Sequence, residues 1–146
     1  MGLAKFLEAR IAEDKLAALT ARIGSGDREW KAEPPGMSEG RIYDSGGEVV
    51  VYDEGSPTFA QAQHIARHDP GRVLREVDAK RKILAEHAME PGMLPPSCVR
   101  CCDTNTAQYP QRWDALTWPC PTVRALAAVW SDHKDYDLAW KGITDG

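Results

Sequence analysis

The sequence predicts an α+β fold dominated by helices. It has a long N-terminal helix, a small antiparallel β-hairpin or three-stranded meander, a central helix pair, a zinc-knuckle-like loop and C-terminal helices. Three observations carry this prediction. Residues 3–23 and 57–89 are rich in helix formers, and the second stretch breaks only at Asp69–Pro70. Between them, β-branched and aromatic runs flank a glycine-rich turn. Beyond them, a C-x-x-C pair sits in a proline-rich stretch, residues 90–119, that has no periodicity. At 146 residues the chain reads as one domain, 1–146, long enough to bury about 70% of its unfolded surface without a staple.

In the first helix, Leu3, Leu7 and Ile11 share one face, while Leu16, Leu19 and Ile23 fall on roughly the opposite one. Either two surfaces clamp the helix at different heights, or it pairs with another chain, a second copy included, along part of its length. Gly24 to Asp27 end it. Residues 28–54 read as extended, with Trp30 opening a short strand that Pro34–Pro35–Gly36 breaks. Arg41–Ile42–Tyr43 and Val49–Val50–Val51–Tyr52 then flank Asp44–Ser45–Gly46–Gly47, a hairpin signal. Such a ribbon is marginal alone and should lie against helices.

Ser56–Pro57 suits a helix start with Pro at the first helical position, and Asp69–Pro70 repeats the device after His68. The second of these helices lines up Val73, Val77, Leu84 and Ala88, with Leu74 beside them. Pro91, Pro95 and Pro96 end regular structure, and a loop of about 30 residues needs something to organise it. Cys120–Pro121 opens a helix carrying Val123, Leu126, Ala127 and Trp130, and a turn around Tyr136–Trp140 closes the region 120–141.

Composition excludes several classes. The net charge is −4, so no global field draws in nucleic acid or an anionic membrane. The longest near-apolar stretch, Val123 to Trp130, is too short to span a bilayer and contains Arg124. Glu8, Arg10, Glu13 and Asp14 interrupt any leader-like pattern, which places the chain in the cytoplasm. In a reducing compartment, four cysteines between Cys98 and Cys120 point to a metal or to free thiols rather than disulfides.

Cys98–Val99–Arg100–Cys101 presents two thiolates to one ion, and Cys120 adds a third from a helix start. His133 lies about 20 Å along that helix if it continues, too far to share the ion. His87 points toward the apolar side of its helix, eleven residues before Cys98, and is the chosen fourth ligand. Cys102 is the alternative, and free buried thiols are the competing reading of the whole cluster. A set of four protein ligands would make zinc structural rather than catalytic. The zinc-deaminase signature fails, because Glu90 is three residues after His87 and Ser97, not Pro, precedes Cys98.

Other signals have plainer explanations. His64 and His68 sit at i and i+4, but Ile65 occupies the place of a general base, and His68 suits the carbonyls of a helix end. Arg72, Arg75, Lys80, Arg81 and Lys82 form a basic helix, but Glu76, Asp78 and Glu86 interleave. Trp113, Trp118, Trp130 and Trp140 cluster late and read as packing around the loop.

The run Gln63 to Arg81, with its His64–Ile65–Ala66–Arg67–His68–Asp69–Pro70 core, resembles an uncharacterised family of small proteins of actinobacteria and their phages. So do Trp118–Pro119–Cys120–Pro121–Thr122–Val123–Arg124–Ala125–Leu126–Ala127 and Ser131 to Tyr136. The chain departs from that family at Gly71, at Lys134 and in its doubled Cys101–Cys102. The resemblance brings no activity with it. It implies a bacterial or phage-infected cytoplasm and joint action of His87, Cys98, Cys101 and Cys120.

These readings favour a non-enzymatic binding or accessory protein with structural Zn2+, acting on a host or phage macromolecule, most simply a protein. One alternative is nucleic-acid binding through the helix 72–82, with strong salt dependence. The other is an enzyme using Cys98, Cys101 or Cys102 as nucleophile beside His87.

Overall fold

The computed structural model describes residues 1–21, 29–34, 40–52, 58–92, 96–101 and 117–141. Among them the order is helix α1 (Leu3–Ala21), strands β1 (Trp30–Ala32), β2 (Ile42–Asp44) and β3 (Val49–Val51), and helices α2 (Phe59–Arg67), α3 (Pro70–Glu86) and α4 (Pro121–Ala127). Short 3-10 turns follow at Ala128–Trp130 and Leu138–Lys141. The fold is mostly helical α+β. No helix among the described residues is long and apolar enough to cross a membrane. Ile23, Ser56, Pro57, Cys102 and Trp113 lie outside the described residues.

The chain gathers into two compact units, one of residues 12–78 and one of residues 1–11 with 79–146, whose boundaries fall inside α1 and α3. In the 12–78 unit the three strands form an antiparallel sheet in the order β1-β2-β3. Trp30 pairs with Asp44 and Ala32 with Ile42. On the other side Ile42 faces Val51 and Tyr43 faces Val49, so Val50 is the extra residue of a bulge. The turn between β2 and β3 is held by Asp44, whose Oδ1 accepts the N–H groups of Gly46 and Glu48 at 2.9 Å each. Gly47 supplies the left-handed step, at φ 85°.

This ribbon is covered, as its small size requires. Ile42, Ala62 and Ala66 form the core, with Trp30, Ala32, Val50, Val51 and Ile65 packed on it, so α2 lies against the sheet. The small Ala62 and Ala66, four apart on α2, let the helix approach closely.

The start of α2 corrects the expectation from sequence. Its N-cap is Thr58 rather than Ser56, and the helix begins at Phe59 rather than at Pro57. Thr58 Oγ1 accepts the Gln61 N–H at 3.4 Å, and Gln61 Oε1 accepts the Thr58 N–H at 2.8 Å. This reciprocal capping box satisfies two helix-end donors, where a Ser–Pro start satisfies one. Asp69 does cap α3: its Oδ1 accepts the Arg72 N–H at 2.6 Å. Its other oxygen takes the Trp30 N–H at 3.4 Å, tying this helix start to β1.

In the unit of residues 1–11 and 79–146, the first turns of α1 bury Leu3, Phe6, Leu7 and Ile11. Phe6 sits among rings, with centroids 5.1 Å from Trp140, 5.7 Å from His133 and 6.0 Å from Tyr136. The buried Arg10 guanidinium lies 5.5 Å over the Phe6 ring and hydrogen-bonds the His133 imidazole. Further along α1, Ala18 is buried, but Leu16 and Leu19 are 65% and 40% exposed. The switch of apolar face seen in the sequence is therefore real in its first half and open to solvent in its second.

Candidate metal centre

Four donors come together around the end of α3. His87 follows the last residue of that helix, and its N–H still bonds the Ile83 carbonyl at 3.0 Å, so the helical geometry carries through to it. The chain then peels away at Ala88 and Met89 and returns after a turn that contains Gly92, at φ 81°. Glu90 N–H bonds Ser97 O at 2.8 Å and Val99 N–H bonds Ala88 O at 2.9 Å, pairing Met89 with Cys98. A third segment joins through Ser97–Thr117 pairing and the 2.8 Å bond from Trp118 N–H to Pro96 O. Cys101 completes the turn that Cys98 opens. Cys120 sits at the N-cap of α4 but makes no side-chain cap hydrogen bond, which leaves its sulfur for other use. Arg124 Nε donates to Pro119 O at 2.7 Å and holds that helix start; the Trp118–Pro119 peptide is cis.

The resulting geometry is specific. His87 Nδ1 lies 3.5 Å from Cys98 Sγ, 3.6 Å from Cys101 Sγ and 3.5 Å from Cys120 Sγ. All four donor atoms fall within 4.8 Å of one another. A ring nitrogen has one proton or one lone pair in its plane, so hydrogen bonding cannot account for three equidistant sulfurs. A central cation can. With metal–sulfur bonds of about 2.3 Å and a metal–nitrogen bond of about 2.0 Å, tetrahedral angles place nitrogen and sulfur about 3.5 Å apart. The His/Cys3 cluster is therefore compatible with a zinc site.

Burial fits the same picture. Cys98 and Cys120 are 0% exposed, while Cys101 and His87 are half-buried. None of the three described cysteines forms a disulfide. Partial burial, then the neighbouring Cys98 and Cys120 sulfurs, push the Cys101 thiol from its ordinary 9.0 up to about 12. The Cys101 thiol thus resists ionising, and a divalent cation among the three sulfurs would reverse that preference.

The other sequence candidates lie elsewhere. His133 belongs to the Phe6–Arg10 cluster, and Cys102 is outside the described residues. His68 Nδ1 donates to the His64 carbonyl at 2.9 Å, closing the end of α2, and the two rings are 4.5 Å apart. On the basic helix, Arg72 pairs with Glu76 at 2.7 Å and Lys80 stacks 4.9 Å over Trp130, while Arg75, Arg81 and Lys82 are exposed. The aromatic cluster around Phe6 was not legible from spacing. Phe6 adjoins Leu7 on the buried stripe of α1, but its partners come more than a hundred residues later.

Ala88, Met89 and Trp118, near His87 and Cys120 in the chain, also line a cavity of about 410 Å³ with Leu84, Arg81 and Glu8. Residues 1–142 match the family of unknown function DUF6221. No curated protein and no solved structure matches the chain.

Proposed function

The chain belongs to the DUF6221 family, and from that premise we propose that His87, Cys98, Cys101 and Cys120 hold one structural zinc ion. The supporting observation is the single nitrogen equidistant from three sulfurs, at the separation a tetrahedral ion requires. Four protein donors fill a tetrahedron and leave no position for water or substrate, which favours bracing over catalysis. Zinc here would pin the end of α3 to the start of α4 and to the turn between Cys98 and Cys101.

On this reading the braced unit is a binding surface, a non-enzymatic accessory protein of an actinobacterial or phage cytoplasm with a protein as partner. Exposed Met89, Val99, Val129 and Leu138 in that unit support a protein partner, since they offer apolar area to a docking surface. With His87 held on the ion it cannot serve as the general base of a cysteine nucleophile, which sets this reading apart from a cysteine-dependent enzyme.

Elemental analysis of protein purified without a histidine tag tests the site. One equivalent of zinc per chain is expected, and replacement by cobalt(II) should give the intense visible absorption of a tetrahedral thiolate complex. A chain with no bound metal, or an octahedral cobalt spectrum, overturns the proposal.

A further inference from the structure

The three sulfurs of the cluster are not equivalent. Cys98 and Cys120 have no exposed surface, whereas Cys101 is half-buried beside exposed Val99 and Arg100. Two of the three sulfurs are thus shielded by protein and one meets solvent. Thiolates bound to zinc remain nucleophilic, and the rate of their modification follows access. Cys101 also has a neighbour suited to complete a reaction. Cys98 lies three residues earlier in a C-x-x-C turn, and both sulfurs fall within the 4.8 Å cluster.

We propose that Cys101 is the modification site of this centre, attacked first by small oxidants of the hydroperoxide class, and that its oxidation releases the ion. The inference rests on the zinc reading above. In the first step the Cys101 thiolate attacks one peroxide oxygen. An S–O bond forms, the O–O bond breaks, and sulfur loses two electrons. The other peroxide oxygen leaves as hydroxide or alkoxide and takes a proton from water. The sulfenic acid is a poor ligand, so the tetrahedron opens. Cys98 thiolate then attacks the Cys101 sulfur and displaces hydroxide, giving a Cys98–Cys101 disulfide. A dithiol reductant returns both thiols, and zinc can rebind.

This assigns the centre a regulated state: with zinc bound, the segments around Cys98 and Cys120 are tied to α3, and after oxidation they are freed. The accessible ligand starts the change and the buried ones protect the site from starting elsewhere.

The test uses the full chain carrying Cys102→Ser, so that the ligand thiols are the only ones present. Zinc content is measured first. The loaded protein then receives one equivalent of hydrogen peroxide together with a sulfenic-acid trap. Zinc release is followed with a chromogenic chelator, and modified positions are found by peptide mapping. Labelling of Cys101 should exceed that of Cys98 and Cys120 about tenfold at early times, with zinc release on the same time course. Cys98 or Cys120 labelled first, or zinc retained after Cys101 is modified, overturns the proposal. Absence of zinc at the outset overturns the zinc reading instead, while the mapping order still decides which sulfur is accessible.

Discussion

The two compact units of this chain solve the same problem with different materials. In residues 12–78 a sheet of three short strands is closed by α2, and the interior is made of Ile42, Ala62 and Ala66 with half-buried Trp30, Val50, Val51 and Ile65 around them. In residues 1–11 and 79–146, Leu3, Phe6, Leu7 and Ile11 of α1 and Val123 and Ala127 of α4 are buried, but so are Cys98 and Cys120. Three described segments around the second set have almost no regular structure beyond isolated pairings. Apolar burial orders a ribbon that already has hydrogen-bonded register. The segments around the cysteines have only isolated bridges for register, and four donors on one ion would reinforce it. Among the described residues, Cys98 and Cys101 stand in a segment whose only regular pairing is isolated bridges.

The largest expected effect separates the units. Cys98→Ser, or chelation, should remove the proposed zinc ion, whose binding to structural sites is worth about 10 kcal/mol or more near neutral pH. Hydrogen exchange should then rise sharply in peptides covering 87–101 and 117–127, and much less in 42–51 and 59–67. Equal loss of protection in both sets would show that the ion does not order its own unit selectively.

The sign of the pH dependence distinguishes the metal-free chain from the zinc-bound one. Without metal, the Cys101 thiol has a folded value raised from 9.0 to about 12, so the folded state favours the protonated form. Its contribution to stability is intact below about 9 and fades as pH climbs toward 12. With zinc bound the ligands are thiolates, and protons compete with the ion, so stability is lost on the acid side. Melting temperature followed against pH, with and without zinc, should show these opposite slopes.

Next in size is Ile42→Ala, which empties the middle of the sheet core and should cost about 2–5 kcal/mol by chemical denaturation. Zinc content should stay at its wild-type level; a fall would mean that the sheet core also supports the centre. Asp69→Ala removes a cap and the tie to Trp30, at about 1–2 kcal/mol, and Thr58→Ala removes half a capping box, at about 1 kcal/mol. Both losses should be read in thermal melts of the zinc-loaded chain. If Thr58→Ala proved the costlier of the two, the tie from Asp69 to β1 would carry no weight.

Much of this architecture was legible locally. Asp69–Pro70 marks a helix start because an aspartate oxygen accepts an early N–H and proline loses nothing at that position. Asp44–Ser45–Gly46–Gly47 marks a turn because the aspartate bonds forward along the chain and glycine takes a left-handed step. The start of α2 is not evident locally, because Ser56–Pro57 resembles a start more loudly than Thr58 does, and the capping partner Gln61 lies three residues on. The fate of Leu16 and Leu19 was out of reach, since periodicity shows that a face is apolar and not what covers it.

Most elements, the Asp69 cap and the C-x-x-C turn follow from local sequence, because they depend on contacts a few residues apart, where chain geometry leaves few choices. What meets across long separations depends on tertiary packing. It set His87 equidistant from sulfurs 11, 14 and 33 residues away, and it placed Arg10 against His133 across 123 residues. Spacing along a chain bounds such distances from above but does not fix them. They are settled by the packing of whole elements, here by the end of α3, the turn at Cys98 and the start of α4.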